Sequence, residues 1–341
     1  MSDKRYLGNI ITSNPTEPAG PYENDAASGV WSLAEAFAYT KAGLWPTAGN
    51  VAPIGLFGGG LFPPSTAFNT IEYLNIASAG NATDFGDLTA ALFTMSSCSS
   101  STRGIFGGGS DPSSGRVNTI NYVTIASTGD ASDFGDLTVA RTRLGACSSS
   151  TRGIFSGGFT TSGQNTIDYI TIATTGNAVN FGILRDRRDG TASCSSPTRG
   201  VSGGGSYISI VNTVDYVTIA TTGNALDFGD LSVSRYSLSS CSSSTRGLFA
   251  GGDTGSFSNV IDYITIATKS NAVNFGDLTA AKKSMAACSS STIGLFGGGV
   301  TETNVVEYVT ISSTGNATDF GDLNVARSGP AACSNAHGGL A

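Results

Sequence analysis

One repeat governs this chain of 341 residues. Aligned on a Gly-Leu/Ile-Phe-Gly-Gly pattern, copies begin at Gly55, Gly104, Gly153, Gly200, Gly247 and Gly294, spaced 49, 49, 47, 47 and 47 residues apart. A unit of this length cannot bury its own apolar face. Copies must stack on one another to share a core, so the repeat constrains the fold before any single motif does.

Each unit divides into four strand-length pieces, seen in residues 104–152. "GIFGGG" is apolar and then all glycine, which admits a close backbone approach. "NTINYVTIA" is β-branched and aromatic, with Ile120 and Tyr122 directed one way and Val123 and Ile125 the other, so it predicts a strand buried on both faces. "STGD" or "TTGN" follows as a hairpin signal. "ASDFGDL" supplies a third strand anchored by Phe134 and Leu137. "LGACSSST" is built of small residues, which suits a crowded innermost strand. The Asp-Phe-Gly triplet recurs at 84–86, 133–135, 227–229 and 319–321, with Asn replacing Asp at 180 and 274. It therefore reads as a blade-corner signature and not as a single magnesium-holding site.

Four short strands per period predict an all-β fold, a β-propeller. The order of Arg, small-residue strand, Gly-Gly strand and Asn-x-Ile-x-Tyr strand, as in "RTRLGACSSSTRGIFSGG" (141–158), "NTIDYITI" (165–172) and "NFGILRDRR" (180–188), resembles kelch repeats. Phe85, Phe134, Phe181, Phe228, Phe275 and Phe320 stand where kelch blades usually carry Trp. The resemblance covers about residues 55–341 and implies four-stranded blades. The first copy lacks its own "ACSSST" strand, and "RSGPAACSNAHGGLA" (327–341) contains one and the beginning of another. The expectation is a six-bladed propeller over 51–341, closed when the C-terminal strand completes the first blade.

Residues 1–50 are different in kind. They hold both tryptophans, Trp31 and Trp45. A capping box of Ser32 and Glu35 precedes a helix predicted over about 32–43, with Gly43 as its C-cap and Pro46 blocking continuation. Trp31, Leu33, Phe37 and Trp45 make an apolar set that would pack on the chain's own propeller or dock on another subunit. The phrase "SGVWSLAEAFAYTKAGLWP" (28–46) resembles segments of structural proteins of tailed bacteriophages, especially marine ones. That resemblance implies a virion or tail-fibre protein assembled in the host cytoplasm, with residues 1–50 anchoring it to other tail proteins.

Several chemistries are disfavoured. Net charge is −7, with scattered Lys and Arg, which argues against nucleic acid. No apolar run approaches about 18 residues, so no membrane insertion is expected. The N-terminus shows no conventional secretion signal. The cysteines Cys98, Cys147, Cys194, Cys241, Cys288 and Cys333 fall one per repeat, and symmetry-related innermost strands are not expected to bring Cα atoms within about 7 Å, so small buried thiols are expected. No C-x-x-C pair suggests zinc, and no cofactor is expected. His337 is the only histidine and is placed in the closing strand. Asp84, Asp133, Asp227, Asp277 and Asp319 recur at repeat positions, as turn and corner acids would. The acids at Glu72, Asp168, Asp215, Asp262 and Glu307, with Asn121 in the same place once, are expected to bridge to Arg103, Arg152, Arg199 and Arg246.

Function is then sought where the repeats disagree. The loops after Gly-Gly and after the "VAR" position vary and open on one face, whereas "SSSTR" and "ATTGN" make the other face monotonous. A uniform scaffold displaying variable loops is a common way to build a binding surface. Phe62, Arg116, Arg143, Phe159, Arg187, Tyr207, Tyr236 and Phe257 are its candidate contacts to a host surface glycan or a neighbouring virion protein. Two alternatives stand: a cellular kelch-like adaptor, and a carbohydrate-active propeller enzyme for which "RDRRDG" (185–190) is the only irregular charge group.

Overall fold

A computed structural model describes residues 5–7, 10–12, 52–62, 66–300 and 303–340. The chain divides into two units, Met1–Ala52 and Pro53–Ala341. In the first, Arg5–Leu7 and Ile10–Thr12 form an antiparallel ribbon. The helix expected over about 32–43, with Trp31, Leu33, Phe37 and Trp45, lies outside the described residues.

The second unit is a six-bladed β-propeller of four-stranded antiparallel sheets. Blade 2 runs outward as Ser96–Ser99, Arg103–Gly107, Thr119–Thr124 and Ser132–Asp136. Blades 3 to 6 begin at Gly145, Ala192, Ser239 and Ala286. In blade 1, Ala331–Ser334 pairs with Ile54–Gly58, Cys333 facing Leu56. The C-terminal strand thus joins the two ends of the ring, as the sequence implies. Beyond it, the residues expected to begin another strand form a 3-10 turn, Gly338–Leu340.

Both faces of each sheet are buried against neighbours. Ile120 and Tyr122 pack toward blade 3, and Val123 and Ile125 toward blade 1. The Asp-Phe-Gly triplet marks a β-bulge: Ile120 faces Gly135 and Asn121 faces Asp133, so Phe134 is the extra residue. The bulge turns Phe134 into the interface, edge-on to Tyr122 at 5.9 Å. Gly135, at φ +141°, leaves room for the Gly176 loop of blade 3, whose carbonyl carbon lies 2.6 Å from where a Cβ would be. That loop donates Gly176 N–H to Phe134 O at 2.7 Å and Ala178 N–H to Asp136 O at 2.8 Å. The "STGD" signal is consequently no tight hairpin. It is a longer loop, residues 125–131 in blade 2, stretched to reach the preceding blade.

A buried ion pair locks the connection into most blades. Arg141 and Asp168 meet at 2.9 Å, Arg188 and Asp215 at 2.8 Å, and Arg235 and Asp262 at 2.8 Å. Lys282 pairs with Glu307 and Arg327 with Glu72 in the same way. The expected pairing of these acids with Arg103, Arg152, Arg199 and Arg246 is wrong. Arg103 faces Thr124, three residues from Asn121, a strand distance of about 10 Å. Those arginines instead lie over Tyr122, Tyr169, Tyr216 and Tyr263 at 4.6–4.8 Å. They donate to carbonyls of the next blade, as Arg103 does to Ile172 at 3.0 Å.

Blade 2 has neither charge: Leu92 stands at the arginine position, and Asn121 at the acid's. Charge is removed from both sides together. Arg235→Leu alone should cost about 3–5 kcal/mol, because Asp262 is left buried and unpaired. Adding Asp262→Asn should restore at least half of that loss in chemical denaturation. A double variant as unstable as the single one would show that neutrality is not what matters here.

Candidate binding face and axial channel

The loops between second and third strands, and those entering each innermost strand, open on one face. Isolated bridges join them at six equivalent places: Leu61 with Ser328, Phe93 with Ser110, Thr142 with Phe159, Asp189 with Ser206, Tyr236 with Asp253, and Lys283 with Val300. The backbone bridge recurs at each place while no residue pair does. On the opposite face the serine turns repeat in side chain too: Ser100, Ser149, Ser243 and Ser290 each accept the N–H groups two and three residues on.

Where the variable face meets the axis, six residues form a closed ring of hydrogen bonds. Thr94 donates its N–H to Gly329, Arg143 to Thr94, Gly190 to Arg143, Ser237 to Gly190, Ser284 to Ser237 and Gly329 to Ser284, at 2.7–3.0 Å. All six adopt left-handed backbone, φ 52–64°. Lower in the channel a second ring is made by hydroxyls. Ser99 donates to the Ser334 carbonyl, and Ser148, Ser195, Ser242, Ser289 and Ser334 each donate to the preceding one, at 2.5–2.8 Å. The six free cysteines lie beside this ring, each Sγ against a glycine of the next blade, such as Cys98 on Gly153. Burial pushes the thiols of Cys147, Cys241 and Cys333 up to about 12 and the others well up, so they are neutral.

His337 lies past the closing strand, not within it. Its Nε2 meets the Ser99 carbonyl at 3.1 Å and Ser148 Oγ at 3.2 Å, while Nδ1 accepts Gly339 N–H at 3.1 Å. The C-terminal turn therefore plugs the channel at the serine-turn end. Though the ring keeps some surface on the channel, protein encloses it, and burial lowers its pKa to about 4.

The structure brings together some of the predicted contacts. Arg116, Arg143 and Phe159 line one groove of about 380 Å³ between blades 2 and 3, with Phe93 and Asp111. Arg116 lies over Phe159 at 5.0 Å. Tyr236 and Phe257 flank Lys283, at 5.4 and 5.1 Å, and Lys283 pairs with Asp253 at 2.7 Å. Phe62 is exposed on the blade 1 loop, Tyr207 is half-exposed against Gly163, and Arg187 is exposed on the outermost strand of blade 3. None of these three joins either cluster. Phe93, Asp111, Asp253 and Lys283 were not anticipated; their only signal is that they sit in the same variable loops. Of the "RDRRDG" charges, Arg188 and Asp189 are buried, Arg188 pairing with Asp215 at 2.8 Å and Asp189 with Arg143 at 3.7 Å, while Arg185, Asp186 and Arg187 are exposed and Arg185 reaches Asp215 at 3.6 Å.

Neither a protein-family model nor a curated protein matches the chain. Among the described residues, no cluster of three or more His, Cys, Asp or Glu is placed to hold a metal ion.

The plug should be pH-sensitive. The folded pKa of His337, about 4, lies below the usual 6.5, so the released form binds more protons between these values. Protonating Nδ1 would also set a donor against Gly339 N–H. The plug should hold fully above pH 6.5, weaken by up to about tenfold per unit down to pH 4, and then level off. NMR titration of the ring, with carboxypeptidase clipping of the C-terminus, measures this. A ring titrating near 6.5 with no change in clipping refutes it.

Proposed function

We propose that the chain is a non-enzymatic binding protein of a tailed-phage particle, whose propeller presents its variable face to a host-surface glycan or a neighbouring virion protein. The carrying observation is the contrast between faces. Six bridges at equivalent places carry six unlike residue pairs on one side, while the other repeats its side chains. Variation confined to one end of a rigid scaffold is the arrangement expected of a recognition surface. The anchoring role of residues 1–50 rests on the resemblance of residues 28–46 to phage structural proteins.

A binding role is also supported by how the ionisable groups are used. The acids facing the linkers are held in buried ion pairs, and His337 is held by a carbonyl and a hydroxyl inside the channel. The hydroxyl beside His337, that of Ser148, is committed as a donor to the Ser99 carbonyl at 2.8 Å, and the linker-facing acids are committed to Arg or Lys, so neither set offers the free acid–base pair that hydrolysis would need.

The ring closes between residues 54 and 334, so removing residues 1–50 should leave a folded propeller. That variant should still attach to host cells or isolated virion proteins, yet its incorporation into particles should fall to background. Normal incorporation would sink the anchor. An intact chain that attaches to neither cells nor virion proteins would sink the binding reading itself.

A further inference from the structure

The variable face breaks its six-fold pattern most sharply between blades 2 and 3. Of the six residues in the left-handed ring, Arg143 is the only one with a long side chain; its equivalents are Thr94, Gly190, Ser237, Ser284 and Gly329. It points to a groove of about 380 Å³, within the roughly 300–1,000 Å³ range of small-ligand sites. The other wall is a short hairpin from blade 2, Ser110–Asp111 with Gly115–Arg116.

Three kinds of chemistry converge there. First, two guanidinium groups are underused. Arg116 is held over the Phe159 ring and has no carboxylate partner among the described residues. Arg143 is half-exposed, and its contact to Asp189, 3.7 Å, is long for a charge-assisted hydrogen bond. Second, Phe93 and Phe159 supply apolar walls. Third, Asp111 is fixed as a hydrogen-bond acceptor. Its Oδ1 takes Ser113 Oγ–H and the N–H groups of Ser113 and Ser114 at 2.5–2.9 Å, which holds the carboxylate in place on the groove wall. The same bonds, Ser113's hydroxyl first, hold its carboxyl down at about 2.

A ligand suited to all three has an anionic group, hydroxyls and an apolar ring face. We infer that this groove binds a saccharide bearing a carboxylate, with Arg116 and Arg143 on the carboxylate, Asp111 on a hydroxyl, and Phe93 and Phe159 against the ring. Arg matches a carboxylate's geometry, and a guanidinium already laid on an aromatic ring loses little freedom on binding. In a chain of net charge −7, attraction to an anion must be local, and this groove supplies it. The inference rests on reading the variable face as a binding face and names the class of ligand it takes.

The test uses the full chain and calorimetric titration with glucuronate-terminated and sialate-terminated trisaccharides, each beside its neutral counterpart. At least one acidic probe should bind, its neutral counterpart should not, and raising salt should weaken binding. Arg116→Ala and Arg143→Gly should each weaken it about tenfold or more. Glycine already occupies the ring at Gly190 and Gly329, so Arg143→Gly keeps the backbone; thermal unfolding checks this. Lys269→Ala, on the opposite face, should bind as the parent does. Equal binding of the neutral probe, indifference to both groove variants, or preference for a glutamate-rich peptide overturns the inference. If no acidic saccharide binds but the chain still attaches to cells or virion proteins, this inference fails and the binding-face reading stands. If attachment also fails, both fall.

Discussion

Neighbouring sheets in this ring touch through glycine, and most of the repeat follows from that contact. Near the axis, the Sγ of Cys98 lies only 2.5 Å from where a Cβ would stand on Gly153. Midway out, the Phe155 ring occupies the corresponding space over Gly107, at 2.8 Å. At the rim, Gly135 faces the Gly176 backbone. Cores are packed to crystal-like density, so an added methyl group at these places requires the facing atoms to shift. Six wedges meeting through three such contacts at four interfaces, and two at the others, leave little freedom in sequence, which is why the repeat is so legible.

The exceptions obey the same constraint. Blade 4 has Ser202 where other blades carry the packed phenylalanine, and the residue opposite it, glycine in four blades and Ala250 in blade 5, is Ser156. The two hydroxyls lie 3.1 Å apart, and Ser193 joins Ser202 at 2.7 Å. A lost ring is thus replaced by added atoms that satisfy one another, which avoids both a large cavity and stranded polar groups. Leu92 and Asn121 remove both charges together, and Thr89 Oγ1 donates to Asn121 Oδ1 where blades 3 and 5 offer a hydroxyl to a carboxylate, although Asn121 Nδ2 is buried without a partner. Volume and charge are balanced interface by interface, not merely over the whole chain.

This locality explains what the sequence could and could not reveal. Blade count, strand order and the closing strand are periodic features, and periodicity exposes them directly. Partner choice is not. Arg103 and Arg141 belong to sets that recur with the same period, so spacing cannot tell which set meets Asp168. The answer lies in register, which puts Arg103 opposite Thr124, and in the linker that brings Arg141 beneath the second strand, where it also donates to the Phe155 carbonyl at 3.2 Å. The channel plug has no repeat to announce it. In the candidate groove, Arg116 and Phe159 come from different blades through irregular loops, so the residue types were recognisable while their meeting was not.

The architecture also constrains where recognition can occur. A ligand on the axis would face near-equivalent backbone from all blades, with the N–H groups of the upper ring already committed to one another and the lower serine hydroxyls to carbonyls. His337 and the turn after it close the far end. Few groups remain on the axis to distinguish one small molecule from another. Off the axis, the bridged loops are held by two backbone hydrogen bonds at five of the six positions, for example 3.1 and 2.7 Å between Thr142 and Phe159, so their side chains can change without altering the scaffold. Specificity therefore belongs between blades, where two unlike loops face each other. The Arg116–Phe159 contact is of that kind: its cation comes from blade 2 and its ring from blade 3, and neither blade alone could form it.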